Sequence, residues 1–308
     1  MKLATFIDPT NVNGARLGVI RAGGLVDVPA AADALHRAIP ATSVKAALCS
    51  GPATIAALKD LAEAAEKRGL LKPIDKLRFL PPVIDPPKFF CVGKNTMKHR
   101  EELVANDLLK EVPTEPTGFI KLASTMCGQD AEIVRPAGIS TLDYEPELVF
   151  VISKRAFNVK KADAYDYVGG FTLFNDVTAR EIQKREVASG TRFWTAKNMP
   201  NFAPIGPFVA TFDEVADVND LWLTCAVNGQ PRLRENTGKF IYTIADVLEH
   251  FTRYMPFEPG DLIAMGAPSG VAFGQPNAAE LFLKPGDRME IGIEGVMSLR
   301  STIIAPDA

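Results

Sequence analysis

Asp143-Tyr144-Glu145-Pro146-Glu147-Leu148-Val149-Phe150-Val151-Ile152, followed by the apolar run Gly170-Phe171-Thr172-Leu173-Phe174-Asn175-Asp176, decides the reading of this chain. Both runs are strand-like, yet they carry carboxylates. Side chains alternate across a strand, so Glu145 and Glu147 point to one face, a single pleat repeat apart. Like charges that close repel unless positive charge lies between them. Asp176 ends the second run and offers a third oxygen ligand. Three carboxylates with room for water or substrate suit a hard divalent cation. The plainer alternative puts Glu145 and Glu147 on the solvated face of an edge strand, where Pro146 is tolerated.

Working outward, the 308 residues are 47% hydrophobic, enough for a large core. A formal net charge of −3 with no long basic run argues against a nucleic-acid surface. The apolar stretches are too short to span a membrane, and Met1–Asp8 reads as a strand without a signal-peptide core. Cys49, Cys91, Cys127 and Cys225 are scattered outside any metal-binding spacing, which suits free thiols in the cytoplasm.

Residues 1–80 read as a small N-terminal α+β domain: strands at Leu3–Ile7 and Arg16–Val28, helices at Ala30–Ile39 and Ala53–Arg68. Pro81-Pro82 and Pro86-Pro87 make a stiff connector, and 81–308 form the second domain. There the pattern is of short strands, at Lys88–Gly93, Glu132–Arg135, Glu147–Ser153, Tyr167–Phe174, Pro207–Thr211, Leu221–Val227, Asp261–Met265 and Arg288–Ile293. Helices are few: His99–Leu109, part of Val177–Ala188, and Thr243–Tyr254. A β-rich α+β fold, sandwich or barrel, follows.

Four further segments carry chemistry. Gly93-Lys94-Asn95-Thr96-Met97-Lys98-His99-Arg100-Glu101-Glu102 leads from a strand into a helix on which His99 and Glu102 share a face, as a carboxylate-supported general base would require. His36 and His250 lie in amphipathic patterns and read as structural. Arg180 and Gln183 share a helix face and present donors to a carboxylate or oxyanion near Asp176. Lys197 sits between Phe193-Trp194 and a Pro/Gly turn, a place where a lysine can be partly desolvated and close to an anion. The Gly266-Ala267-Pro268-Ser269-Gly270 turn offers backbone amides to a ligand carboxylate. Each segment also has a plain surface reading when taken alone.

Together and in this order, over about residues 80–305, these segments resemble the fumarylacetoacetate hydrolase family. Its Gly-x-Asn-Tyr-x-x-His-x-x-Glu segment is matched by Gly93, Asn95, His99 and Glu102, with Thr96 for Tyr. Its Phe-x-Lys strand is matched by Phe119 and Lys121, and its Tyr-Glu-x-Glu-Leu strand by Tyr144, Glu145, Glu147 and Leu148. Its Asn-Asp-x-Ser-Ala-Arg-x-x-Gln segment is matched by Asn175, Asp176, Ala179, Arg180 and Gln183, with Thr178 for Ser. Lys197 precedes the Phe-x-Pro-x-Gly-Pro run, and the Glu-Pro-Gly-Asp and Pro-x-Gly-Val turns stand at 258–261 and 268–271.

The resemblance implies a mixed β-sandwich roll behind the smaller N-terminal domain, a homodimer, and a role in aromatic catabolism. It implies Mg²⁺, or Mn²⁺ or Ca²⁺, on Glu145, Glu147 and Asp176. His99 and Glu102 would be an acid–base pair completed by a closing lid over Lys98 to about Glu111. Lys197 would be catalytic, and Arg180, Gln183, Lys121, Ala267 and Ser269 would bind substrate. Two positions depart from the family: Pro200 replaces an Asp and Ala267 a Thr. The expected reaction is hydrolytic cleavage of a C–C bond in a small 2-oxo or 1,3-dioxo carboxylate. Oxaloacetate decarboxylation and isomerisation of an unsaturated oxo-acid need the same electron sink. A non-catalytic metal- or metabolite-binding protein on this fold is the alternative of another class.

Overall fold

The computed structural model describes residues 1–10, 14–106, 113–191 and 193–306, without the side chain of His99. A mixed sheet of 12 strands forms the body of the molecule. Its main path runs Leu71–Lys72, Gly24–Asp27, Arg16–Arg21, Lys2–Ile7, Ala203–Ala210, Val168–Asn175, Pro146–Ile152, Leu262–Ala264, Phe89–Gly93, Thr117–Lys121. A second sheet of five strands, ordered Gln230–Asn236, Trp222–Val227, Arg288–Ile293, Met297–Ile304, Ala131–Val134, packs against it. This is the sheet-rich α+β architecture expected from the strand spacing.

Pro146–Ile152 is a central strand, paired with Val168–Asn175 on one side and Leu262–Ala264 on the other. The solvated-edge alternative for Glu145 and Glu147 is therefore excluded, and the two residues are 4% and 2% exposed. Pro146 is the strand's first residue, where a missing N–H is tolerated. The run beyond is apolar on both faces because both faces are covered. Leu148, Phe150 and Ile152 join the core between the sheets, while Val149 and Val151 join a second core beneath the N-terminal helices. Pro52–Lys67, the longest of those helices, starts with Pro at its first position and buries Leu58, Leu61, Ala62 and Ala65 along one face.

The N-terminal residues share the large sheet with the rest of the chain, through Lys2↔Ala210 and Leu3↔Val209. A division into 1–80 and 81–308 is thus a proposal about origin and role, laid over a continuous sheet. The Arg16–Val28 strand is in fact a hairpin, because Ala22-Gly23 turns the chain back between Arg16–Arg21 and Gly24–Asp27. The short helix Val44–Cys49, capped by Ser43, was not expected; six residues are too few for a periodicity to show. Thr117–Lys121 is the strand implied by the Phe119/Lys121 match, and Gln230–Asn236 and Met297–Ile304 extend the expected set. Helices Met97–Ala105, Arg180–Ala188 and Ile244–Phe251 stand where helical patterns were read, the last closed by a Thr243/Asp246 capping box. Part of the expected lid, 107–112, lies outside the described residues.

The proline-rich connector lies against the first strand, where Leu80 N–H reaches Thr5 O at 2.9 Å and Thr5 Oγ1 donates to Pro82 O at 2.7 Å. Gly128 packs beneath it so closely that a Cβ there would fall 2.1 Å from Phe79 O. Its next neighbours, Leu80 Cα and C at 2.9 and 3.0 Å, are backbone too, so a methyl has nowhere to go. Gly128→Ala is expected to destabilise the fold by about 1–3 kcal/mol, read as a lower midpoint in chemical denaturation. An unchanged midpoint would show that the connector is not held as described.

Candidate active site

The end of the Pro146–Ile152 strand and the turn after Val168–Asn175 meet because Asp176 N–H donates to Glu145 O at 2.9 Å. Asn175 secures the meeting, its Oδ1 accepting Glu145 N–H at 2.8 Å. Glu145, Glu147 and Asp176 thereby converge, with one oxygen from each within 4.8 Å of the others. Ligands on opposite sides of an ion bound at about 2.0–2.6 Å are separated by roughly 4.0–5.2 Å. The three carboxylates have the spacing for one divalent cation.

Cations surround these carboxylates. Lys197 Nζ lies 2.6 Å from Glu145 Oε2, 2.5 Å from Asp176 Oδ2 and 2.8 Å from Thr178 Oγ1. Lys121 Nζ lies 2.5 Å from Asp176 Oδ1. Arg180 reaches Glu145 Oε1 at 2.6 Å and Asp143 Oδ2 at 2.8 Å. Its Nη1 donates to Gln183 Oε1 at 3.0 Å, so the Gln183 carbonyl is occupied and its NH₂ is the group left to face a ligand. Glu147 accepts the Gly266 N–H at 2.9 Å. Among the described residues, no cationic side chain pairs with Glu147. Burial first, and then the Asp176 and Glu145 carboxylates, push its carboxyl well above the ordinary range. Burial alone would lower the Lys197 ammonium, but Asp176 and Glu145 outweigh it and hold the group protonated. Lys121 is shifted downward, chiefly by burial.

The cavity above these groups is lined by Glu145, Glu147, Asp176, Arg180, Gln183 and Lys197 on a charged floor, with Val92, Leu103, Phe119, Phe193 and Ala267 as apolar wall. Its free volume is about 30 Å³, by a measure in which one water needs roughly 10–15 Å³. Lys197 Nζ lies 5.5 Å from the centroid of Phe119 and 6.0 Å from that of Phe193, a cation–π arrangement that helps shelter it. Glu186, one turn beyond Gln183, accepts backbone N–H groups of Trp194, Thr195 and Ala196 and so fixes the turn bearing Lys197.

The structure thus gathers Glu145, Glu147, Asp176, Arg180, Gln183, Lys197 and Ala267. Two further expected substrate ligands, Lys121 and Ser269, have protein partners. Lys121 is fully buried and its ammonium is committed to Asp176, while the Ser269 hydroxyl is spent on Glu235 at 2.8 Å. Glu102 stands on the Met97–Ala105 helix with Oε1 3.0 Å from the Gly270 N–H. His99 lies on the same helix, and its side chain is outside what the structure describes. Pro200 is exposed and takes no part in the cavity wall. Sequence reasoning assigned no role to Lys94, which is buried, lines the cavity, and holds φ at 60° with its carbonyl accepting Arg100 Nε at 2.6 Å. Nor did it assign one to Asp143. The signal for each was a charged residue beside a Gly or a Tyr-Glu pair in an otherwise apolar run.

A mixed sandwich presenting a buried carboxylate triad at strand ends defines a class, and comparison with known proteins gives the family. The family described as fumarylacetoacetate (FAA) hydrolase, C-terminal, matches residues 88–304. The chain belongs to the fumarylacetoacetate hydrolase family. It is 37% identical over 240 residues to a fumarylacetoacetate hydrolase domain-containing protein 2 homolog from Dictyostelium discoideum, covering 75% of each chain. It is 34% identical to oxaloacetate tautomerase FAHD2A, mitochondrial, from Bos taurus, over 96% of this chain and 88% of that one. Among solved structures it is similar to the fumarylacetoacetate hydrolase of Exiguobacterium antarcticum, at 28% identity and a TM-score of 0.75, covering 99% of this chain and all of the other.

The Glu147 carboxyl gives a test of the triad. Its folded-state pKa is raised, so as pH rises above the ordinary carboxylate range the ionised form increasingly destabilises the metal-free fold. A bound cation reverses that preference. Divalent-ion affinity should therefore increase with pH, with protons released on binding, measured by calorimetry in two buffers of different ionisation enthalpy. Glu147→Gln should raise the thermal midpoint of the metal-free protein and abolish ion binding. Tight binding by that variant would remove Glu147 from the ligand set.

Proposed function

We propose that this chain is a metal-dependent enzyme that moves a proton between the keto and enol forms of a small 2-oxo dicarboxylate of the oxaloacetate type. The observation that carries this reading is the convergence of Glu145, Glu147 and Asp176 in one narrow cavity with Lys197, Arg180 and Gln183. The bovine and human relatives named oxaloacetate tautomerase, 34% and 37% identical, favour tautomerisation among the reactions that share this electron sink. Mg²⁺ or Mn²⁺ on the triad would supply Lewis-acid polarisation of the 2-oxo group.

The chain's own residues divide the remaining work. Lys197, held protonated, is a donor that stabilises enolate oxygen and cannot serve as the base. The Gln183 NH₂ donates to the oxo-acid end, with Arg180 fixing its orientation. Lys94, buried in the cavity wall, supplies positive charge for the second carboxylate. His99, with Glu102 beside it on the helix, exchanges the C3 proton. The apolar wall of Val92, Leu103 and Phe119 restricts water around the enolate.

Hydrolytic C–C cleavage of an acylpyruvate-type substrate, the expectation from sequence, is the second reading. The observation in its favour is Glu102, on the helix that brings Leu103 to the cavity wall. It needs a water where this cavity is narrow. The deciding measurement is turnover of oxaloacetate, acylpyruvates and unsaturated oxo-dioates, each with Mg²⁺, with Mn²⁺ and with chelator. Metal-dependent keto–enol exchange of oxaloacetate exceeding acylpyruvate cleavage is expected. The reverse ranking would replace the first reading by the second.

His99→Ala is expected to lower kcat by about 10²–10⁴-fold and leave ion affinity nearly unchanged. Glu147→Ala should abolish turnover together with ion binding. Turnover by His99→Ala close to that of the unaltered protein would exclude the imidazole from the proton transfer.

A further inference from the structure

We infer that Asp143 is a positioning residue that holds the helix bearing Glu102 in register with the acidic cluster. Asp143 is fully buried and lies outside the cavity lining, so it acts on the reaction only through other groups. Its Oδ1 accepts the N–H groups of Tyr144 and Ala272, each at 2.9 Å. Its Oδ2 accepts Phe273 N–H at 3.0 Å and Arg180 Nε at 2.8 Å. One carboxylate thus fastens two separate structures.

The first is the cluster itself. Arg180 spans from Asp143 to Glu145 Oε1 at 2.6 Å and Gln183 Oε1 at 3.0 Å. Asp143 also pairs with Thr178 across a two-stranded ribbon, and Thr178 Oγ1 accepts from Lys197. The second is the loop running from Ala267 to Gly274. Within it, Gly270 N–H donates to Glu102 Oε1 at 3.0 Å. Gly274 approaches the same side chain so closely that a Cβ would fall 2.4 Å from Glu102 Cδ. A shift of this loop must carry Glu102 with it. The loop is anchored on the cluster side by the two N–H groups that Asp143 accepts. Glu102 and Glu145 are therefore set against each other through one buried ion.

Asp143→Asn keeps the volume but turns an amide N–H toward a loop donor or the guanidinium. Amide exchange in the helix segment 100–105 should accelerate by about tenfold or more, while that of Val168–Asn175 stays unchanged. This arm needs no substrate. The kinetic arm rests on the proposed function: kcat for oxaloacetate enolisation should fall about 10²-fold, with KM and ion affinity changed less than about threefold. The cost of Glu102→Gln in the Asp143→Asn background should be far smaller than in the unaltered protein. Should Asp143→Asn fail to fold, Ala272→Pro carries both arms. It removes one N–H from Asp143 at the first residue of a short 3₁₀ turn, after an extended Val271 that accepts a following proline. Additive kinetic costs together with unchanged exchange in 100–105 would overturn the inference. If the unaltered protein turns over no oxo-acid, the proposed function falls, and the exchange measurement alone decides the role of Asp143.

Discussion

Everything near the cavity answers one electrostatic constraint: carboxylates buried side by side. Two like charges about 4 Å apart interact by roughly 4 kcal/mol at an effective dielectric of about 20. Asp143, Glu145, Glu147 and Asp176 lie together with almost no solvent contact. Lys121, Arg180 and Lys197 compensate three of the four charges, and Glu147 is left with the Gly266 N–H. A divalent cation held by the triad would complete the balance. The constraint also explains why two lysines sit in positions that surface side chains normally avoid. Each is held by a carboxylate, and Lys197 has an aromatic wall as well.

The sequence made the carboxylate triad legible because charged residues interrupted apolar strands in a recurring order. Glu145, Glu147 and Asp176 could be named from that interruption, Arg180 and Gln183 from their spacing, and Lys197 from its place between an aromatic pair and a Pro/Gly turn. Strand identity was readable from alternation, and the resemblance added the sandwich. For Lys121 and Ser269 a motif does not say which protein groups they meet; here these are Asp176 and Glu235. Asp143 shows the converse. Its partners Ala272 and Phe273 lie some 130 positions away and donate through backbone N–H, which no side-chain pattern encodes.

The family relation and the geometry also explain why several reactions fit one site. Hydrolysis, decarboxylation and tautomerisation all place negative charge on the same oxygen, so the floor of the cavity can serve each of them. Discrimination then rests on the walls. Phe119, Phe193 and Leu103 determine how much room remains for water or for a longer acyl chain. Lys94, held in a left-handed conformation at the strand end, adds a buried lysine to that wall. Residues of the wall, more than those of the floor, are the place to look for divergence within the family.

The strand Ala203–Ala210 carries a second consequence. Its outer edge is covered in pieces: Lys2 and Leu3 pair with Ala210 and Val209, and Met126 and Cys127 pair with Ala203 and Pro204. Between those pieces stands Pro207, which has no N–H to offer. An eight-residue apolar strand with a free edge would be a template for adding strands from other molecules. Here two short covers and a proline leave no continuous row of donors for a stranger to read. The N-terminal segment, which among the described residues lines no part of the cavity, thus covers part of the strand that lies beside Asp176's own.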